Sequence, residues 1–248
     1  AFLFDKLNMP EQAAFARALS KRWKAAVRKY LIDENTMLAA GNCQTSQAMA
    51  ICYNIFEPAE RKAAFEQLIN LIEEQEYHLD VGVLGGRVLF HVLTDFGYGD
   101  LAFSMITRPD YPSYGNWIAR GATTLWEVFQ PEGSDRIGSL NHHFWGDISS
   151  WFTQALSGIR MAPHGEPNEV DFRPSFISRL THAEAFHIAP AGRIASAWER
   201  DEDDVIVLTV KLPSTMHGVI RLESGYVFED DLAYKAAESG TYRIHSIE

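Results

Sequence analysis

Residues 139–159, SLNHHFWGDISSWFTQALSGI, are the last stretch of the sequence in which apolar residues recur with helical spacing. Ser139 is placed to cap this predicted helix, and Gly158 is placed to end it. Beyond His164, short apolar segments are separated by clusters of Gly, Pro, Asp and Ser, a pattern typical of β-strands. The sequence therefore predicts a mainly α part followed by an all-β part.

Further helices are predicted before this stretch. Helical spacing indicates them at residues 10–32, 43–56, 58–75, 83–95 and 99–106. The first of these begins at Pro10 and places six apolar residues on one face, namely Phe15, Leu19, Trp23, Ala26, Val27 and Tyr30. The second and third are separated by only a few residues around Glu57, which predicts an antiparallel helical hairpin.

The strand-like part contains six segments with turn residues between them. They are EVDFRP, HAEAFHIAP, GRIASAWER, DVIVLTVKLP, HGVIRLE and GTYRIHSI. In the fourth, Ile206, Leu208, Val210 and Leu212 alternate with other residues, as in a strand with one buried face. We expect an antiparallel β-sandwich, with residues 1–163 in the helical domain and residues 164–248 in the sandwich.

Composition limits the classes of partner. The net charge of −11 and the isoelectric point near 5.3 argue against binding to nucleic acid, which draws on clustered Lys and Arg. No apolar run approaches the roughly 18–20 residues that span a bilayer, so no membrane partner is predicted. We expect a soluble chain, cytoplasmic, or periplasmic or secreted if a leader was removed upstream.

The spacing of potential ligands predicts no metal and no cofactor. No His, Asp or Glu cluster has the spacing of a metal site. Cys43 and Cys52 are nine positions apart in one predicted helix, which is beyond disulfide reach, and we expect both to be buried as small apolar residues.

An aromatic-rich segment with few helix or strand signals, residues 108–138, is the first place to look for function. Together with residues 139–152 it combines tyrosines and tryptophans with Glu127, Asn141 and His142. Aromatic faces and directional hydrogen-bonding groups suit a sugar, although the same aromatics would also serve a core. The composition leaves both interpretations open for Trp117 and Trp126.

Glu127 lies between Trp126 and the Val128–Phe129 pair in the stretch RGATTLWEVF. A carboxylate is costly to bury without a partner. Glu127 therefore either points outward from an ordered loop or lies in a functional cavity.

The order of the motifs resembles a known family. GATTLWE (121–127) and SLNHHFWGDISSWF (139–152), preceded by GNCQTSQAMA (41–50) and HLDVGVLGG (78–86), are similar to bacterial α-L-rhamnosidases of glycoside hydrolase family 78. The strand segments VDFRP, PAGRIASAWE and TVKLPSTMHGVIRL continue this similarity. The resemblance implies part of an (α/α)6 toroid, as in six-hairpin glycosidases, followed by the C-terminal β-sandwich.

The resemblance also implies roles for particular residues. Glu127 corresponds to the general base of an inverting hydrolysis that releases terminal α-L-rhamnose, and Asn141 and His142 correspond to the sugar subsite. Trp117 and Trp126 are the expected aromatic side chains of the substrate-binding site. The implied substrate is a rhamnose-containing glycoside.

The general acid of that family lies in a segment that would precede residue 1. One carboxylate cannot both protonate the leaving oxygen and activate water in a single inverting step. We therefore expect the missing N-terminal half of the catalytic domain as a partner, and these residues alone to be inactive. The available internal acids are Asp80, Asp95, Asp100, Asp110 and Asp147. Asp80 and Asp147 are the ones expected near Glu127, but each of the five has a simpler structural interpretation.

The stretch DVGVLGG departs from the family's TGxLGT pattern at Val81 and Gly86, and this departure bears on substrate preference.

Two alternative functions remain open at this point. Another (α/α)6 glycosidase would share the fold without sharing the substrate. A degenerate, non-catalytic carbohydrate-binding protein would keep the aromatic residues, and His142 would then be an ordinary core histidine.

Overall fold

The computed structural model describes residues 1–134, 138–162 and 165–247. Residues 135–137 of the aromatic-rich segment lie outside this description. Pro163 and His164, between which the domain boundary is predicted, also lie outside it. The division into residues 1–163 and 164–248 therefore stays a prediction.

The N-terminal part is helical. Its elements are α1 (Phe2–Lys6), α2 (Pro10–Leu31), α3 (Gln44–Cys52), α4 (Arg61–Glu74), α5 (Val83–Asp95), α6 (Gly99–Thr107), α7 (Tyr114–Ala119) and α8 (Ile148–Trp151). A small hairpin of β1 (Ile32–Asp33) and β2 (Leu38–Ala39) joins α2 to α3. The helices predicted from residue 10 to residue 106 are confirmed, with shifts of up to a few residues at their ends.

The last predicted helix is shorter than its sequence pattern indicates. A 3-10 turn covers His143–Trp145, α8 begins only at Ile148, and a π-helical turn follows at Phe152–Leu156. The predicted cap at Ser139 is wrong, because residues 139–142 bond to a distant segment. The Glu127 N–H donates to the Ser139 carbonyl and the His142 N–H to the Leu125 carbonyl, both at 2.8 Å.

Gly158 ends the helical part as predicted. Its φ of +76° is a conformation that glycine adopts without strain. A Cβ at this position would also collide with backbone atoms of Arg173 and Pro174. The chain enters its first sheet strand directly afterwards.

The helical core is centred on α4 and α5. Leu68, Ile72, Leu89 and Leu93 are fully buried there. Trp151 from α8 completes this core, and its indole N–H donates to the Phe90 carbonyl at 3.1 Å and to Thr94 Oγ1 at 2.9 Å.

The predicted apolar face of α2 is largely exposed among the described residues. Phe15, Trp23 and Tyr30 are 69%, 62% and 71% exposed, whereas Leu19 and Val27 are half-buried. Periodicity correctly predicted a helix, but the described residues cover only part of its apolar face. None of the described helices is long and apolar enough to cross a lipid bilayer.

Cys43 directly precedes α3, Cys52 is its last residue, and both thiols are free. Cys52 is exposed and Cys43 half-buried. The prediction that both are buried is therefore wrong.

The C-terminal part consists of two sheets. Its strands are β3 (Ile159–Met161), β4 (Val170–Phe172), β5 (His182–Ala189), β6 (Gly192–Arg200), β7 (Ile206–Lys211), β8 (Val219–Arg221), β9 (Tyr226–Phe228), β10 (Tyr234–Ala236) and β11 (Gly240–Ser246). One sheet has the order β10-β8-β4-β3 and the other β5-β6-β7-β11-β9. The pairings are antiparallel apart from the parallel contact between β4 and β8.

The two sheets share one core. Phe172 and Ile220 from the first sheet and Trp198 and Leu208 from the second are fully buried in the same cluster. The predicted alternation is confirmed within β7, since Ile206, Leu208 and Val210 all have zero exposure, whereas Leu212 follows the end of the strand and is half-buried. The architecture is part of an (α/α)6 toroid followed by a β-sandwich.

Candidate active site

A cavity of about 460 Å³ lies where three loops meet the start of α3. It is lined by Cys43, Thr45, Leu79, Asp80, Val81, Gly82, Val83, Tyr111, Pro112, Glu127, Val128, Phe129 and Trp145. Two of these side chains, Asp80 and Glu127, are carboxylates. The cavity therefore combines acidic groups with an aromatic surface, which is a chemistry suited to sugars.

Glu127 is held in place by three hydrogen bonds. Its N–H donates to the Ser139 carbonyl at 2.8 Å, and its carbonyl accepts the Trp145 indole N–H at 2.9 Å. The Ser139 N–H donates to Glu127 Oε2 at 2.9 Å. Among the described residues, Oε1 has no hydrogen-bond partner. One oxygen of the carboxylate is thus anchored and the other is available to a ligand or water.

Asp80 reaches the cavity because a buried glutamine fixes its loop. Gln44 is fully buried at the start of α3. Its Nε2 donates to the His78 carbonyl at 2.8 Å, and its Oε1 accepts the Asp80 N–H at 3.1 Å. The Asp80 side chain is exposed at the edge of the cavity.

The loop that carries Tyr111 is anchored by an ionic network. The Arg108 guanidinium donates to both oxygens of Asp110 at 2.8 Å, and His78 Nε2 lies 2.9 Å from Asp110 Oδ2. Hydrogen bonds from Arg108 and His78 lower the pKa of Asp110 well below its usual range. Asp110 therefore remains ionised and holds the loop beside the cavity.

An aromatic cluster supports the cavity from behind. Phe129 stacks on Trp117 with ring centroids 4.3 Å apart, and Phe129 and Trp145 lie 4.5 Å apart. The Tyr114 hydroxyl donates to the Trp145 carbonyl at 3.2 Å, and burial raises the pKa of Tyr114. Tyr114 is therefore a protonated structural donor.

The structure does not bring all the predicted site residues to one cavity. Trp117 is 2% exposed and packs in the helical core. Trp126 is half-buried, 6.1 Å from the Trp117 ring and beneath the Arg120 guanidinium at 5.1 Å. Neither lines the cavity that Glu127 lines.

Asn141 and His142 also lie away from this cavity. Asn141 is exposed, and its N–H donates to Ser139 Oγ at 3.2 Å. His142 is half-buried with its ring 4.5 Å from the Phe144 ring, edge to face. Both are connected to Glu127 through the 139–142 segment and do not contact it directly in the described structure.

A second cavity of about 420 Å³ lies beside the first turn of α5. It is lined by Val83, Leu84, Arg87, His143, Phe144 and Asp147. Asp147 Oδ2 lies 3.5 Å from His91 Nε2. Burial lowers the pKa of His91 more than the nearby Asp147 and Asp95 raise it. Asp147 is thus the neighbour of a histidine and does not line the cavity of Glu127.

The sequence did not assign Asp80 or Tyr111 to the site, although Tyr111 belongs to the aromatic-rich segment and Asp80 is one of the two aspartates expected near Glu127. Asp80 directly precedes the VGVLGG stretch. The signal that places it at the site is the buried Gln44, 36 positions earlier, which sequence spacing does not relate to it. In the described part of the chain, no three His, Cys, Asp or Glu side chains are grouped to hold a metal ion.

Comparison with known proteins gives consistent matches over both parts of the chain. The family model for the bacterial α-L-rhamnosidase 6 hairpin glycosidase domain matches residues 5–156. The model for the bacterial α-L-rhamnosidase C-terminal domain matches residues 168–225.

Curated relatives carry the same description. An α-L-rhamnosidase of Streptomyces avermitilis is 32% identical over 179 residues, covering 70% of this chain and 17% of the relative. One from Formosa agariphila is 29% identical over 217 residues, covering 85% and 23%. The chain thus spans about a quarter or less of the relatives it matches.

Solved structures agree in fold. The Streptomyces avermitilis α-L-rhamnosidase complexed with L-rhamnose superposes with a TM-score of 0.82 at 27% identity, covering 94% of this chain and 24% of that one. The native α-L-rhamnosidase from Aspergillus terreus gives a TM-score of 0.84 at 22% identity, covering 97% and 28%. The second likeness concerns the fold alone.

Proposed function

Because this chain belongs to the bacterial α-L-rhamnosidase family of six-hairpin glycosidases, we propose that it forms part of an enzyme that releases terminal α-L-rhamnose from glycosides or polysaccharides. The observation that carries this proposal is the cavity within the matched residues, which contains an anchored glutamate, a second carboxylate and aromatic side chains. Since the chain spans a minor share of its relatives, the activity is proposed for the complete catalytic domain.

Glu127 is proposed as the general base of an inverting reaction. In such a reaction the base takes a proton from water as that water attacks the anomeric carbon, while a second carboxyl group protonates the leaving oxygen. The hydrogen bond from the Ser139 N–H fixes one oxygen of Glu127 and so orients the other toward a water. This oxygen, Oε1, is the proposed proton acceptor.

The general acid is proposed to come from outside these residues. An inverting pair is separated by about 6.5–9.5 Å, and the second group must lie on the opposite face of the sugar. The exposed apolar face of α2, with Phe15, Trp23 and Tyr30, supports a further part of the catalytic domain as its partner. That part would supply the acid and close the sugar site.

Three of the remaining predicted site residues are proposed to contact the substrate directly, and the fourth is proposed to act through a neighbouring residue. Asn141 and His142 are proposed to contact the sugar once the site is closed, since both are polar residues of the 139–142 segment that holds Glu127. Trp126 is proposed to present its half-buried face to the substrate. Trp117 is proposed to act through Phe129, on which it stacks.

The test is Glu127→Gln in a protein that joins these residues to the rest of a catalytic domain. Hydrolysis of an aryl α-L-rhamnoside is expected to fall about 10²–10⁴-fold, as for loss of a general base. Glu132→Gln is the matched control, because Glu132 is exposed in the same segment. Folding, followed by circular dichroism, is expected to be unchanged in both variants.

The product's configuration tests the stereochemistry separately. Proton NMR at early times is expected to show the β-anomer of L-rhamnose, which inversion produces from an α-glycoside. An initial α-anomer would contradict the inverting mechanism. Near-normal turnover of Glu127→Gln would contradict the base assignment, and sugar binding with no turnover in the wild-type protein would favour the carbohydrate-binding alternative.

A further inference from the structure

A small cavity of about 150 Å³, distinct from the two described above, lies between the end of α5 and the four-stranded sheet. Its charged and polar lining includes Asp95, Arg160, Arg173, Ser175, Arg221 and Glu223. Three of these are arginines that come from neighbouring strands. Nothing in the proposed rhamnosidase reaction requires them.

Strand alternation explains why the three arginines share a face. Ile159 pairs with Phe172, and Phe172 pairs with Ile220, and all three side chains are buried in the sandwich core. Residues one position along a strand point to the opposite face. Arg160 and Arg221 follow Ile159 and Ile220 directly, so both leave the sheet on the side that faces α5.

Arg173 joins the same face. It follows the paired Phe172, and its N–H donates to the Gly158 carbonyl at 2.8 Å, which continues the strand pairing by one residue. Neighbouring strands lie about 4.8 Å apart. The stems of Arg173 and Arg221 therefore leave the sheet side by side.

Two of the three arginines are paired with carboxylates. Arg160 Nη1 lies 2.7 Å from Asp95 Oδ1, and Arg173 Nη2 lies 2.7 Å from the buried Asp171 Oδ2. Arg221 forms no ion pair with the described residues, and its guanidinium lies 6.0 Å from the Tyr234 ring.

Glu223 lies at the cavity, but its carboxyl group is already engaged. Oε1 accepts the Phe176 N–H at 2.8 Å, and burial raises the pKa of the group. Asp95 and Asp171 are each paired to an arginine, so Arg221 is the one of the three arginines that has no ion-pair partner among the described residues.

We propose that this cavity binds one tetrahedral oxyanion, phosphate or sulfate, held mainly by Arg173 and Arg221. The cavity is small, which suits an ion of five non-hydrogen atoms. Planar guanidinium groups offer paired N–H donors that match such an ion's oxygens. The Ser175 hydroxyl lines the same cavity and is hydrogen-bonded to Glu223. The bound ion would link the sheet to the end of α5.

The test is titration of the purified chain with sodium phosphate, sodium sulfate, sodium acetate and sodium chloride at equal ionic strength. Thermal unfolding and isothermal titration calorimetry are the measurements. We expect a saturable rise in melting temperature with phosphate or sulfate at millimolar concentration and none with chloride. Acetate separates tetrahedral ions from carboxylates, and competition between phosphate and sulfate identifies the preferred ion.

Arg221→Gln is the decisive variant, because Arg221 is exposed and forms no ion pair within the part of the chain that the structure describes. Its affinity for the preferred ion is expected to fall by about tenfold or more, the loss of one charge-assisted contact. Arg193→Gln is the control of equal charge, since Arg193 lies over the Phe186 ring away from the cavity. Equal responses to all four salts, or an unchanged affinity in Arg221→Gln, would overturn the proposal.

Discussion

Gln44 fixes the loop that carries Asp80, and Gln44→Ala is expected to destabilise the protein and loosen that loop. The wild-type side chain is fully buried and makes two hydrogen bonds, from Nε2 to the His78 carbonyl at 2.8 Å and from the Asp80 N–H to Oε1 at 3.1 Å. Each lost bond leaves a backbone group without its partner at a cost of about 1–3 kcal/mol. Because Asp80 is exposed and water reaches part of this loop, the lower half of that range applies.

The sum is a loss of about 2–4 kcal/mol in the free energy of unfolding, a change of roughly 30- to 900-fold in the folding equilibrium. Urea denaturation measures this value, and hydrogen exchange of the Asp80 amide reports the loop directly. Gln12→Ala is the control, since Gln12 is exposed on α2, and it is expected to change stability by less than about 0.5 kcal/mol. Equal stability of the two variants, with an unchanged exchange rate at Asp80, would refute the argument.

Two further changes test other parts of the structure. Burial lowers the pKa of His91 below its ordinary 6.5, so the unfolded chain binds more protons than the folded chain between the two pKa values. The free energy of unfolding is therefore expected to fall as the pH drops through and below 6.5. His91→Gln should flatten the dependence of this free energy on pH between about pH 7.5 and 5.5, and an unchanged slope would contradict the argument. Gly158→Ala is expected to cost about 3 kcal/mol or more, because φ is +76° and the new Cβ would collide with backbone atoms of Arg173 and Pro174. Gly240→Ala, whose Cβ would meet nothing within 4 Å, is expected to be near neutral by the same urea denaturation, and equal costs would count against the steric reason.

The sequence was most informative where a local pattern determines the structure. Helical spacing located α2 to α6, and period-two alternation identified β7, whose Ile206, Leu208 and Val210 are fully buried. Gly158 ended the helical part as its residue type predicts. These features depend on neighbouring residues along the chain.

The wrong predictions concern features that depend on contacts between residues distant in the sequence. Ser139 has the residue type of a helix cap, but its backbone bonds to Glu127, so the helix begins later at Ile148. The apolar face of α2 was visible in the sequence, whereas its exposure depends on what packs against it. Cys52 looked like a core residue for the same reason and is exposed.

In the candidate site too, a local motif identified one residue, whereas distant contacts placed the others. Glu127 was identified from a motif and lies on a cavity, while its role as base remains a proposal. Trp117 has the composition of a sugar-binding residue, but four aromatic side chains enclose it, and only the folded chain reveals this. Asp80 lies at the site because its N–H donates to the Gln44 side chain, a contact that no spacing rule predicts.

The most direct test of the proposed site is a crystal structure of these residues, joined to the rest of a catalytic domain, with L-rhamnose bound. We predict that the sugar lies in the cavity lined by Glu127, Asp80 and Trp145, with a water between Glu127 Oε1 and the anomeric carbon. L-rhamnose bound instead in the cavity lined by Leu84 and Phe144, with Glu127 remote from the ring, would contradict the proposed site.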